Sequence, residues 1–132
     1  MTELFQDDEY DRRFAGVAKI YSEDTFSHYE KSHVMVIGIG GVGSWAVEAL
    51  ARTGVGELTL IDMDVVAASN INRQLPAMSS TLGMDKIEVM AERCRSINPR
   101  IKINLIDDYL TPENVKELLA EAPDLILDCI DD

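Results

Sequence analysis

The stretch from Val34 to Leu50, VMVIGIGGVGSWAVEAL, limits most strongly what this chain can fold into. An apolar run meets glycines at 38, 40, 41 and 43, and the glycines open a segment with helical spacing. An unbroken apolar run suits a strand covered on both faces in a parallel sheet. Glycines at its end remove the Cβ atoms that would hold a phosphate away from backbone N–H groups, and the following helix adds the positive end of its dipole. A dinucleotide or a nucleoside triphosphate would fit such a turn. The competing reading is that some of these glycines serve only tight helix-to-strand packing.

The rest of the chain supplies the partners of that strand. Phe14, Val17, Ala18 and Tyr21 fall at helical spacing over 10–21, and Ser22 is placed to cap a second helix. The first strand reads as His33–Ile39, followed by a helix over Trp45–Arg52 that Thr53 and Gly54 close, and a strand over Glu57–Ile61. Ile87, Met90, Ala91, Cys94 and Ile97 mark an amphipathic helix over Met84–Ile97, and Ile101–Ile106 reads as a third strand. Thr111 and Pro112 open a helix through Ala120 with Val115, Leu118 and Leu119 inward, and Asp124–Cys129 is a fourth strand. Strands alternating with helices predict an α/β fold, a doubly wound, mostly parallel Rossmann-like sheet behind two N-terminal helices. The expected division is a helical arm over 1–31 and a nucleotide-binding core over 32–132, within one domain. Ligands of open α/β sheets bind at the carboxyl ends of the strands, where DCIDD ends the sequence, so the fold is expected to continue past residue 132.

Composition excludes several classes. Twelve basic residues face 24 acidic ones, a net charge of −12 that repels a nucleic-acid backbone unless the basic residues gather on one face. The sequence shows only Arg12 beside Arg13, and the trio Arg93, Arg95 and Arg100. No apolar run is long enough for a membrane span and no basic start precedes an apolar segment, so a cytoplasmic location is expected. Cys94 and Cys129 form no C-x-x-C pair and read as small buried hydrophobes. His28 and His33 receive no role.

Asp62 ends the second strand nineteen residues beyond Gly43, the spacing at which an acidic residue holds ribose hydroxyls in dinucleotide folds. Adenosine is the moiety this predicts, in NAD or in ATP. The loop has no GK[ST], so it is not a Walker loop. Asp64 completes a D-x-D ending, residues 70–74 read NINRQ with Asn70, Arg73 and Gln74, and Lys86 opens the next helix. Converging arginine and lysine suit a reaction at the α-phosphate, where charge builds as pyrophosphate leaves, better than hydride transfer. Asp128 and Asp131 could hold Mg²⁺ through oxygen.

VIGIGGVGSWAVEALARTGVGELTLIDMD, NINRQ, Lys86 and DCIDD together resemble the adenylation core of the family that includes ubiquitin-activating enzymes and the bacterial activators of sulfur-carrier proteins, the ThiF, MoeB and HesA group. YDRRFAGVAKIY, GSWAVEALARTG, LIDMD and VMAERCRSINP most resemble its branch that uses ATP to cyclise a threonylcarbamoyl-modified adenosine of tRNA. The resemblance implies that Gly38, Gly40, Gly41 and Gly43 line ATP, that Asp62, with Asp64 beside it, holds the ribose, and that Asn70, Arg73, Gln74 and Lys86 contact the phosphates. It implies Asp131 as the Mg²⁺ ligand, although Asp132 stands where many relatives have asparagine or serine. Arg12 matches an arginine supplied by the second subunit of a homodimer. The implied chemistry is activation of a substrate carboxylate as an acyl-adenylate, with tRNA or a sulfur-carrier or sulfur-transfer protein as partner. The 132-residue chain alone is expected to be inactive. An NAD-dependent oxidoreductase fragment and a non-catalytic dimerisation module are the alternative readings.

Overall fold

A computed structural model describes residues 7–131; the departure at Asp132 lies outside them. Two helices come first, α1 over Asp7–Tyr21 and α2 over Glu23–Lys31, joined at Ser22, whose hydroxyl accepts from the Thr25 N–H at 3.2 Å. The core then runs β1 (His33–Ile37), α3 (Gly43–Thr53), β2 (Glu57–Ile61), α4 (Lys86–Ile97), β3 (Lys102–Ile106), α5 (Val115–Leu118) and β4 (Leu125–Asp128), with single 3₁₀ turns at Ala68–Asn70 and Ser79–Thr81. The pairings of these four strands are parallel, in the order β3-β2-β1-β4, and one isolated antiparallel bridge joins Val65 to Asp85. The order reverses direction at β1, so a crevice opens between the connections that leave β1 and β4.

β1 is buried along its whole length because both of its faces are covered. Val34 and Val36 pack with Val47 and Ala51 of α3, Leu58 and Leu60 of β2, and Ile87, Met90 and Cys94 of α4. Met35 and Ile37 lie with Ile61 in a second cluster, closed by Ile106, Leu110, Leu118 and Leu119 from the β3-to-β4 segment. Cys94 is fully buried, and burial pushes its thiol up to about 12, as expected of a packing residue; Cys129 is half-buried, and its burial raises the thiol as well.

Several expected boundaries move for local reasons. β1 stops at Ile37, not Ile39, because the Ile39 N–H donates to the Asp62 carboxylate at 2.7 Å instead of joining a strand. α3 begins at Gly43 rather than Trp45, and α4 at Lys86 rather than Met84. β3 and β4 are each shorter than expected, at Lys102–Ile106 and Leu125–Asp128. The helix expected from Thr111 through Ala120 shrinks to one turn. There the Asn114 side chain accepts from the Thr111 N–H at 2.8 Å and donates to the Tyr109 carbonyl at 2.7 Å, and such side-chain bonds compete with helical ones.

The two arginine groups visible in the sequence come together in the fold. α1 docks on the end of α4 through Arg13, which donates to the carbonyls of Ser96 and Ile97 at 3.3 and 3.1 Å, and Arg100 lies over the Tyr10 ring at 3.9 Å. Two arginine groups that are 80 residues apart in sequence therefore meet at one end of the molecule, a contact that only tertiary packing could reveal.

Candidate functional site

The β1–α3 turn lies at the carboxyl edge of the sheet. Gly38 has φ +91°, and a Cβ there would sit 3.1 Å from the backbone of Cys129 and Ile130, so only glycine fits both the dihedral and the approach of the segment after β4. Gly43 is buried against the Gly38 carbonyl and the Cys129 side chain, which gives it a packing role. Gly40 and Gly41 differ. A Cβ on either would meet side chains at ordinary contact distance, Gln74 Nε2 at 3.6 Å and Arg73 Cγ and Cδ at 3.5 Å. The N–H groups of Gly40, Gly41 and Val42 have no protein acceptor among the described residues, while the Ser44 hydroxyl ties the turn by donating to the Gly40 carbonyl. The turn is a held concavity of backbone donors at a helix N-terminus.

Asp62 closes one side. Its two carboxylate oxygens accept from the N–H groups of Ile39 and Asp64, each at 2.7 Å, so one side chain joins the end of β2 to the glycine turn. Carboxylate oxygens keep further lone pairs for ribose hydroxyls. Asn70 has a structural duty, its Oδ1 accepting from the Ala67 N–H at 2.9 Å to close the 3₁₀ turn. That turn delivers Arg73 and Gln74 to the glycines. The Arg73 guanidinium is held by the Ser69 carbonyl at 3.1 Å and Asn72 Oδ1 at 2.9 Å, and the Arg73 carbonyl accepts from the Trp45 indole at 2.9 Å. Gln74 is buried, and its Oε1 has no partner among the described residues.

Lys86 is the most telling residue. It is 5 % exposed, yet its ammonium lies 3.9 Å from the nearest carboxylate oxygen, that of solvent-facing Asp64. The stem is packed while the ammonium is only loosely paired, so an anionic ligand beside Asp64 would find a cation there.

Two sequence-derived residues stand apart. Asp131 is exposed beyond β4, where Asp128 accepts from the Ile130 N–H at 3.2 Å. Among the described residues no group of three or more His, Cys, Asp or Glu could cage a metal. A single carboxylate fits the habit of Mg²⁺, which takes one or two carboxylates and completes its shell with phosphate oxygens and water. Arg12 is exposed on α1, next to Arg13 at the C-terminal end of α4. Lys86 starts α4, so the length of that helix, about 18 Å, separates Arg12 from the site of its own chain. Trp45 and Ser44, in contrast, are site residues that the motif reading passed over. A large aromatic in the first turn after a glycine loop, 52 % exposed, was the available signal for Trp45.

The description "ThiF family" matches residues 10–132. The chain is 52% identical over 131 residues to the tRNA threonylcarbamoyladenosine dehydratase of Haemophilus influenzae, an alignment that covers 99% of this chain and 50% of that protein. It is 41% identical over 100 residues to the molybdopterin-synthase adenylyltransferase of Escherichia coli, covering 76% of this chain and 40% of that one. The E. coli tRNA N6-threonylcarbamoyladenosine dehydratase, TcdA, solved in complex with ATP, superposes with a TM-score of 0.93 at 46% identity, over 97% of this chain and 52% of its own. The chain thus spans about half the length of these relatives.

Proposed function

Because the chain belongs to the ThiF family, we propose that it is the nucleotide-binding part of an enzyme that transfers AMP from ATP to a substrate carboxylate, and that the substrate is threonylcarbamoyladenosine of tRNA, undergoing cyclising dehydration. The observation that carries the ATP reading is Lys86, a packed side chain whose ammonium has no carboxylate oxygen nearer than 3.9 Å among the described residues, together with the N–H groups of the glycine turn, which find no protein acceptor among those residues. The identities to two dehydratases, 52% and 48%, support the tRNA substrate.

Each residue has a duty under this reading. The N–H groups of Gly40, Gly41 and Val42 hold phosphate oxygens, and Asp62 accepts the ribose hydroxyls. Lys86 and Arg73 stabilise the charge that builds as pyrophosphate leaves. Gln74 and Asn70 orient the phosphate chain, and Asp64 steadies the Lys86 ammonium. Asp131 would hold Mg²⁺, whose chemistry is to neutralise phosphate charge. Arg12 would come from a second copy of the chain, since it does not reach the site of its own. An activator of a sulfur-carrier protein is the second reading, supported by the 41% identity to the molybdopterin-synthase adenylyltransferase. No helix among the described residues is long and apolar enough to cross a membrane.

Calorimetry with ATP-Mg²⁺ and with NAD tests the assignment. Binding of ATP in preference to NAD, lost in Lys86→Ala, is the expected result. Preference for NAD, or indifference to that substitution, would overturn it.

A further inference from the structure

Six of the seven arginines of this acidic chain sit on α1, at the last turns of α3 and α4, or just after them: Arg12, Arg13, Arg52, Arg93, Arg95 and Arg100. Three of them, Arg13, Arg52 and Arg93, line a groove of about 420 Å³ with Phe14, Ser96 and Ile97. Arg13 is paired with Glu9 at 3.4 Å, and the other two arginines are organised around one carboxylate. Glu48, 9 % exposed, accepts from Arg93 Nε at 2.6 Å, Arg93 Nη2 at 3.0 Å and Arg52 Nε at 2.7 Å. Its carboxyl is held below the usual range first by the hydrogen bonds from Arg93, against the opposing effect of burial, with Arg52 adding to the lowering.

One glutamate thus fixes two guanidiniums of five N–H groups each while using only three of those donors in total. The pair keeps a net positive charge and unused planar donors at the groove, an arrangement suited to bidentate capture of phosphate. α3 connects this place to the nucleotide turn: Arg52 lies nine residues past Gly43, about 13 Å along the helix. A nucleic-acid strand advances about 3.4 Å per nucleotide, so one strand reaches from groove to turn in about four nucleotides.

We infer that the groove of Arg13, Arg52 and Arg93 docks the phosphate backbone of the RNA substrate while the base to be modified lies at the glycine turn. The choice of RNA as occupant rests on the tRNA part of the proposed function; the two-arginine clamp does not. Arg95, exposed on α4, adds a further cation at this end.

Fluorescence anisotropy with a labelled tRNA transcript tests the inference on the whole chain at 50 to 200 mM KCl, with ATP binding measured on the same preparations. Arg52→Gln with Arg93→Gln is expected to weaken tRNA at least tenfold and to lower the salt slope by about two, leaving ATP affinity unchanged. Arg52→Gln alone, at a side chain 59 % exposed, is the fold-safe version and is expected to lower the slope by about one. Glu48→Gln removes the competing charge and is expected to hold or tighten tRNA. No tRNA binding by the unaltered chain, loss that ignores these variants, or equal displacement by poly-glutamate would each overturn the inference. Failure of ATP binding alone would sink the adenylation reading and leave the groove result standing.

Discussion

Where α3 and α4 begin, Lys86 is packed with its nearest carboxylate oxygen 3.9 Å away, and among the described residues Gln74 Oε1 has no partner and three N–H groups of the turn meet no protein oxygen. Where the same two helices end, a buried carboxylate is held by three N–H donors, and the last carbonyls of α4 are met by Arg13. Both ends belong to one packed pair over one sheet face, so packing alone does not explain the contrast. A buried polar atom without a partner is rare, and Gln74 Oε1 lies beside helix-N-terminal N–H groups open to an anion, which makes this end the place that a ligand completes. The other end satisfies its buried carboxylate within the protein and leaves only outward guanidinium donors, so it serves the fold and the inferred RNA contact rather than ATP.

Substitutions at the two ends should therefore divide binding from stability. The largest expected effect is Lys86→Ala: ATP affinity falls by about 100-fold, about 3 kcal/mol, while the melting temperature moves little because no close ion pair is lost. Calorimetry and a thermal melt on one sample check both halves, and a cooperative loss of fold would break the contrast. Next is Glu48→Ala, which leaves two guanidiniums without their anchor. It should cost about 2 kcal/mol of stability in urea and change ATP affinity less than threefold. The pH dependence sharpens this. Since the folded carboxyl is depressed below its ordinary 4.5, its stabilisation is complete above that pH and fades as the pH falls through the folded value, so wild type and variant should converge in acid.

Gly38→Ala straddles the two classes, because its dihedral and its approach to Cys129 are structural while its place is the turn; about 1–2 kcal/mol of stability should go together with ATP binding. Gly40→Ala should separate them, with an added Cβ only 3.6 Å from a flexible Gln74 amide: stability within about 0.5 kcal/mol, ATP weaker by about tenfold. Smallest is Trp45→Phe, which keeps a ring but removes the N–H to the Arg73 carbonyl, and should weaken ATP about threefold without moving the melt.

Much of this was legible in the primary structure, and the reasons differ by region. The VMVI run, the glycine spacing and the periodicity of α4 are local patterns, and local patterns survive without a fold. The parallel sheet followed from strands alternating with helices, whereas its order, β3-β2-β1-β4, was not read from the sequence. Helix α5 misled because Asn114, an ordinary residue in the motif, turns its side chain back on the loop. Gly43 read as a phosphate contact, yet whether a glycine spares room for ligand or for protein depends on what lies opposite, here Cys129, eighty-six positions away. The arginine groove was invisible for the same reason, since Arg13 and Ile97 meet only after α1 docks.

The contact between Gly38 and the segment after β4 also bears on how the protein is made. The Cys129 N–H reaches the Ile37 carbonyl at 2.8 Å, and β4 joins β1 across some ninety residues. On the ribosome, the back wall of the turn is still absent when the turn itself has emerged. Nascent chains halted before residue 125 should thus carry every glycine of the motif and still lack its finished shape.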